Sequence, residues 1–233
     1  MSPRAGAGPD AVASEPESHQ SHRADLLRLL ATHSFRLGDF TLASGQKSDY
    51  YIDCRVTTLH AEGGRLSGLV LYNMIREHVP DAVAVGGLTM GADPLVSNVA
   101  SASAWHALWS AQNTEFDTSI SSQLVPQLLH GFLVRKSEKA HGTGRRIEGF
   151  SEPGASVVIV DDVCTTGGST ITAIEAAREA GMHVAGVFCL VDREQGGRAR
   201  IEAVAGGARF FALFTAEDIR ASHKDLHTRA SDA

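Results

Sequence analysis

Residues 157–170 read Val157-Val158-Ile159-Val160-Asp161-Asp162-Val163-Cys164-Thr165-Thr166-Gly167-Gly168-Ser169-Thr170. Four β-branched residues in a row favour a strand, and their unbroken apolar character suits one buried on both faces of a parallel sheet. Two carboxylates follow at the C-terminal end of that strand, where open α/β sheets bind ligands. A Thr/Gly/Ser turn comes next, and its backbone N–H groups can cradle an anion. Residues 169–180 (STITAIEAAREA) then read as a helix, closed by Gly181, whose positive N-terminal end faces the same place. The run lacks the lysine of a Walker A loop and the spacing of GxGxxG. Acids beside an anion cradle repel the anion unless they have another task, and accepting hydrogen bonds from ribose hydroxyls is such a task. The stretch therefore reads as a ribose 5-phosphate clamp. Asp161 and Asp162 take the 2′- and 3′-hydroxyls, and Thr165, Thr166, Gly167, Gly168 and Ser169 take the 5′-phosphate. A plain strand with an acidic cap needs one carboxylate, not two followed by Thr-Thr-Gly-Gly.

Working outward, strands and helices alternate. Residues 24–33 and 65–78 carry apolar residues at helical spacing, and Pro80 marks the stop of the second helix. Residues 40–53 (FTLASGQKSDYYID) read as two short strands around a Ser-Gly turn. Residues 82–87, 131–135, 184–191 and 209–214 are short apolar strands, with helices expected over 92–102 and 199–205. This order predicts an α/β fold with a central, mostly parallel sheet flanked by helices. Two segments break the alternation. Residues 103–127 are polar, hold Trp105 and Trp109, and show no clear period; residues 137–150 (SEKAHGTGRRIEGF) are basic and glycine-rich. Long irregular segments of this kind inside a domain are functional or disordered.

Composition limits the function. The 233 residues suit one domain, with 43% hydrophobic and 21% charged residues, and the net charge of −6 argues against non-specific nucleic-acid binding. Cys54, Cys164 and Cys189 are scattered, so they suggest neither a zinc site nor a disulfide framework and fit a reducing cytoplasm. No apolar run approaches the ~20 residues of a membrane span. The first 21 residues, rich in Ala, Gly, Pro, Ser and Glu, read as a disordered tail without a secretory h-region, residues 22–220 as the domain, and 221–233 as a C-terminal tail.

The 157–170 run resembles the PRPP-binding signature of type I phosphoribosyltransferases. That resemblance implies PRPP as substrate, a magnesium ion carried mainly on its pyrophosphate with Asp161 and Asp162 as available ligands, and contacts from Asp161 through Ser169, including Val163 and Cys164. Three further segments are similar to orotate phosphoribosyltransferases: residues 40–55 (FTLASGQKSDYYIDCR), 85–94 (VGGLTMGADP) and 134–149 (VRKSEKAHGTGRRIEG). Residues 191–197 (VDREQGG) make a fourth. The resemblance implies the fold of that family with a small N-terminal hood, and a homodimer with shared active sites. It also implies a mobile catalytic loop over residues 137–149, from which Lys139 and His141 act in the partner's site. Arg193 is implied as the orotate carboxylate binder, with Thr165 as a second orotate contact.

The residues make chemical sense beside the resemblance. Orotate and PRPP are anions, and Arg135, Lys136, Lys139 and His141 concentrate cations in one short stretch. Seen alone, such a stretch is more often a solvated surface, and Cys164 and Met90 read as packing. Two departures from the family stand out. Ala43 occupies a position where many relatives have a lysine, and residues 103–127 form an atypical insertion. The expected reaction is transfer of ribose 5-phosphate from PRPP to N1 of orotate, giving orotidine 5′-monophosphate in pyrimidine biosynthesis. A purine or uracil phosphoribosyltransferase, and a non-catalytic PRPP-sensing module, remain as alternatives.

Overall fold

A computed structural model describes residues 19–41, 47–113, 128–136 and 146–231. The chain starts with α1 (His19–Leu29) and a π-helical turn (Leu30–Ser34). These lead into an antiparallel pair, β1 (Phe35–Thr41) and β2 (Lys47–Ile52). The order then runs α2 (Arg55–Thr58), α3 (Ala61–His78), β3 (Ala84–Leu88), α4 (Ala92–Asn113), β4 (His130–Val134) and β5 (Ile147–Gly149). It ends with β6 (Ser156–Cys164), α5 (Gly168–Glu179), β7 (His183–Asp192), α6 (Gly197–Val204), β8 (Arg209–Thr215) and α7 (Ala216–Ser231).

The main sheet has the order β5-β4-β3-β6-β7-β8 and is parallel except for β5. The apolar strand of the opening stretch is its centre. Val158 and Val160 point into the core shared with α1, α3, α4 and α7. Val157 and Ile159 point into the opposite core, shared with α5 and α6. Alternate side chains meeting two apolar layers explain why the run carries no polar residue. From β3 the chain crosses outward to β4, whereas β6 leads the other way to β7 and β8. The crevice between the ends of β3 and β6 is therefore the switch point at which such sheets bind ligands.

Four expectations need correction. The helix expected over 92–102 extends to Asn113, into the segment read as irregular. Trp105, Leu108 and Trp109 stand at i, i+3 and i+4, a helical stripe that is exposed rather than buried and so was not read as a core pattern. Residues 114–127 lie outside the described residues. Part of the stretch read as a mobile loop is strand β5, which pairs antiparallel with β4 and turns Ile147 into the core. The strand of the opening stretch does not stop at Val160 but continues through both aspartates to Cys164, pairing with β7 as far as Asp192. Finally, most of the expected C-terminal tail is helix α7. Thr215 and Asp218 cap it reciprocally: Asp218 N–H donates to Thr215 Oγ1 at 3.1 Å and Thr215 N–H to Asp218 Oδ2 at 2.7 Å. Ile219 is fully buried, and the His223 ring packs on Phe35. At the other end α1 begins at His19, and the rest of the expected N-terminal tail lies outside the described residues.

Among the described residues no helix is long and apolar enough to cross a membrane.

The join of β3 to β6 is close. A Cβ on Gly87 would collide with the Val160 carbonyl oxygen and with the Ala92 side chain. Gly87→Ala must push β3 or α4 away from β6, so it should cost about 1–3 kcal/mol. Urea unfolding of the variant checks this, and a midpoint equal to that of the native chain would show that the junction is not tight.

Candidate active site

A cleft of about 540 Å³ lies over the switch point. The main sheet supplies Leu88 at the end of β3, Lys136 beyond β4, and Asp161, Asp162 and Val163 in β6. The turn Thr89-Met90-Gly91 follows β3, and Ser169 stands in the first turn of α5. The hood closes the other side with Tyr51, Ile52, Asp53 and Arg55.

The two aspartates have different surroundings. Asp161 is only 7% exposed, and Thr170, itself buried, donates its hydroxyl to Asp161 Oδ2 at 2.5 Å. The Asp162 N–H donates to Asp161 Oδ1 at 3.1 Å, and the Val163 N–H to Asp162 Oδ1 at 3.0 Å. Burial first, and the charge of Asp162 second, push the Asp161 carboxyl up to about 7. Burial also raises Asp162, but the Val163 N–H and the Arg55 charge oppose the rise. Asp162 sits hard against the β3 turn, since a Cβ on Gly91 would overlap its carboxylate.

Beyond β6 the chain turns through Thr165, Thr166 and Gly167 into α5. Gly167 has φ of 77°, a left-handed conformation that lets the backbone reverse into the helix, and Ile201 and Gly197 crowd its Cα. The turn puts the N-terminus of α5 beside the carboxylate pair, which is the arrangement an anion cradle needs.

Arg55 is forked onto Asp53, with Nε to Oδ1 and Nη2 to Oδ2 both at 2.8 Å. The pairing holds Asp53 below the usual carboxylate range and keeps Arg55 protonated.

Of the residues singled out from sequence, Lys136, Asp161, Asp162, Val163 and Ser169 line one cleft, and Thr165, Thr166, Gly167 and Gly168 build the turn beside it. Others are placed differently. The Cys164 side chain is buried against Gly197 in the core, so only its backbone could meet a ligand; its carbonyl accepts from Arg193 N–H at 2.9 Å. Arg135 pairs with Glu148 on β5 at 3.0 Å and does not line the cleft. Arg193 lies at the join between β7 and the hood, donating to Ser48 Oγ and Tyr50 Oη at 3.3 Å each, with its guanidinium 4.7 Å from the Tyr50 ring centre. Lys139, His141 and Ala43 lie outside the described residues. Met90, read as packing, is 65% exposed and lines the cleft. Sequence reasoning gave no role to Asp53 or Arg55; an acid and a base two residues apart directly after a strand were the available signal.

Comparison with known proteins agrees with this geometry. Residues 116–207 match the model of the phosphoribosyl transferase domain. The chain is 42% identical over 200 residues to an orotate phosphoribosyltransferase of Synechocystis sp., covering 85% of this chain and 88% of that one. It is 38% identical over 200 residues to that of Aquifex aeolicus, covering 84% and 97%. Among solved structures, Mycobacterium tuberculosis orotate phosphoribosyltransferase in complex with Fe(III) dicitrate superposes with a TM-score of 0.65 at 36% identity, covering 85% of this chain and 98% of that one. The same enzyme in complex with PRPP gives 0.61 at 28% identity, covering 85% and 92%. With the switch-point cleft, the paired aspartates and the hood in the arrangement described, the chain belongs to the orotate phosphoribosyltransferase family.

Proposed function

We propose that the chain transfers the 5-phosphoribosyl group of PRPP to N1 of orotate, giving orotidine 5′-monophosphate and pyrophosphate in pyrimidine biosynthesis. The observation that carries this reading is the aspartate pair at the end of β6, set beside a glycine turn that opens α5. As orotate N1 bonds to C1′, the C1′–O bond to pyrophosphate breaks and its electron pair leaves with the pyrophosphate. Positive charge develops on the ribose ring and negative charge on the leaving group. The protein therefore has to orient two reactants and balance charge.

The cleft and the residues around it divide the tasks in this scheme. Asp161 and Asp162 hold the ribose hydroxyls, and the N–H groups of residues 165–169 hold the 5′-phosphate. Arg193 takes the orotate carboxylate: its described polar partners are two hydroxyls at 3.3 Å, which a carboxylate outcompetes by a charge-assisted bidentate contact. Thr165, by the family resemblance, is a second orotate contact. Lys136 offers charge to the pyrophosphate, and Lys139 and His141, by the family resemblance, neutralise or protonate it.

Magnesium fits this cleft as an ion brought by the substrate. Among the described residues no group of three or more His, Cys, Asp or Glu side chains could hold a metal, whereas hard carboxylate oxygens face the cleft from Asp161 and Asp162. A magnesium ion bound mainly through substrate phosphates needs only one or two such carboxylates. When bound, it supplies charge neutralisation on the pyrophosphate.

The working unit in this reading is a homodimer. The α3–α4 face supports it, because Trp105 is 73% and Trp109 69% exposed there, with Leu59 and Leu108 also exposed. Apolar surface of this kind marks an interface. We place the enzyme in a reducing cytoplasm, in keeping with three free, buried cysteines.

Loss of orotate ultraviolet absorbance on adding PRPP and magnesium tests the activity, with hypoxanthine, adenine and uracil in parallel. Turnover of orotate alone is expected; turnover of a purine or uracil instead would replace the base assignment, and PRPP binding without any turnover would favour a sensing module. Lys139→Ala should keep most PRPP affinity and lower kcat by roughly 100-fold. Unchanged kcat would remove Lys139 from the mechanism.

The Asp161 carboxyl also makes stability depend on pH. Its value is about 7 when folded against an ordinary 3.8, so the folded chain keeps a proton that the unfolded chain loses. That contribution is complete below 3.8 and is lost as pH rises through about 7. Asp161→Asn removes the titration. The stability of the native chain relative to this variant should fall across that window and level off above it, as read from urea midpoints. A difference independent of pH would mean that Asp161 titrates normally.

A further inference from the structure

The cleft has a charge problem that the proposed function leaves open. Three carboxylates, Asp53, Asp161 and Asp162, line it, and its cations among the described residues are Lys136 and Arg55. The backbone turn beside α5 serves the 5′-phosphate. The turn Thr89-Met90-Gly91 that also lines the cleft carries no charge, and Arg135 is engaged with Glu148. The position at which many relatives have a lysine is Ala43.

Arg55 occupies the side of the cleft opposite that turn. Its side chain is 41% exposed, yet Asp53 holds it at two points, Nε and Nη2 at 2.8 Å each, and also accepts from the Arg55 backbone N–H at 3.1 Å. The fork uses the Nε and Nη2 edge and leaves the Nη1 donors for another acceptor. The cation is thus fixed before any ligand arrives, and little side-chain freedom is lost on binding. With the ribose hydroxyls on Asp161 and Asp162, the pyrophosphate has the remainder of the cleft, which the Thr89-Met90-Gly91 turn and the hood line. Arg55 is the charge in place there.

We propose that Arg55, positioned by Asp53, is a pyrophosphate-binding residue for PRPP supplied from within the same chain. This rests on the phosphoribosyl-transfer reading and adds to it a residue that the clamp and the basic 135–141 stretch do not include.

The test compares two ligands that share ribose 5-phosphate and differ in the pyrophosphate. Calorimetry with the full chain measures the affinity of PRPP with magnesium and of orotidine 5′-monophosphate for the native chain, Arg55→Ala and Arg55→Lys. Arg55→Ala should weaken PRPP by about 10- to 100-fold, the size of a lost charge-assisted hydrogen bond, and leave the nucleotide within about two-fold. In the forward reaction KM for PRPP should rise with little change in KM for orotate. Arg55→Lys, which keeps the charge, should recover part of the loss, and no recovery would count against the contact. Equal losses for both ligands would show a structural role and overturn the proposal, as would unchanged PRPP affinity in Arg55→Ala with normal turnover by the native chain. A native chain that neither binds PRPP nor consumes orotate would instead overturn the functional reading, and this inference with it.

Discussion

The hydrogen bond from Thr170 to Asp161 is the contact on which the rest of the site depends. A carboxylate at the end of a central strand is taken out of water, and burying it unpaired would be costly. Thr170 reaches it from the first turns of α5, so the bond also fixes how the helix stands on the sheet. That placement in turn sets the Thr165–Gly167 turn and the N–H groups available to a phosphate. Asp161 thus ties the helix to the sheet while lining the cleft, and its raised proton affinity comes from burial first and the charge of Asp162 second. Burial raises Asp162 too, one residue on, and there the Val163 N–H and the Arg55 charge oppose the rise. Burial raises the proton affinity of both adjacent acids, so they need not both be charged and repel each other.

The hood completes the cleft because charge and aromatic contacts tie it to the end of the sheet. Arg193 from the end of β7 and Arg220 from α7 both lie over Tyr50, at 4.7 and 4.9 Å from its ring centre, and Arg220 is forked onto Asp49 at 2.8 and 2.9 Å. Phe35 stacks on the same tyrosine and meets the His223 ring at a tilt of 54°. Helix α7 is therefore the buttress that holds β2, and with it Asp53 and Arg55, over the strands. Such cation–π contacts contribute about 0.5–1 kcal/mol each when exposed, more when shielded from water. Their value here lies in orientation as much as stability, since a site shared between two sheets needs its halves held in register.

The opening stretch settled the fold class and by itself named Asp161, Asp162, Val163 and Ser169 of the candidate cleft. A buried parallel strand, two acids and a glycine turn are all local features: each follows from side-chain type and from spacing along one segment. The same holds for the helix that follows and for the apolar strands around it. Local reading failed where the signal was present but not apolar. The Trp105, Leu108 and Trp109 stripe has helical spacing, but it faces outward and so gave no core pattern. The Thr215–Asp218 capping pair started a helix that the polar composition of the C-terminus concealed. Strand β5 is three residues long, too short for any period to declare itself.

What the chain's order alone decided, then, is the clamp, because its parts are neighbours in sequence. What only the tertiary structure decided is which distant residues face it. Asp53 and Arg55 are more than a hundred residues from Asp161, and their shared cleft exists because the hood folds back over the ends of β3 and β6. Arg135, adjacent in sequence to Lys136, is drawn instead to Glu148 by the antiparallel pairing of β5, while Lys136 lines the cleft. Cys164 sits inside the clamp motif, but its side chain turns into the core against Gly197 at the start of α6. Sequence spacing lists the chemistry a segment can offer, and the direction in which the backbone points each side chain determines which of it reaches the ligand.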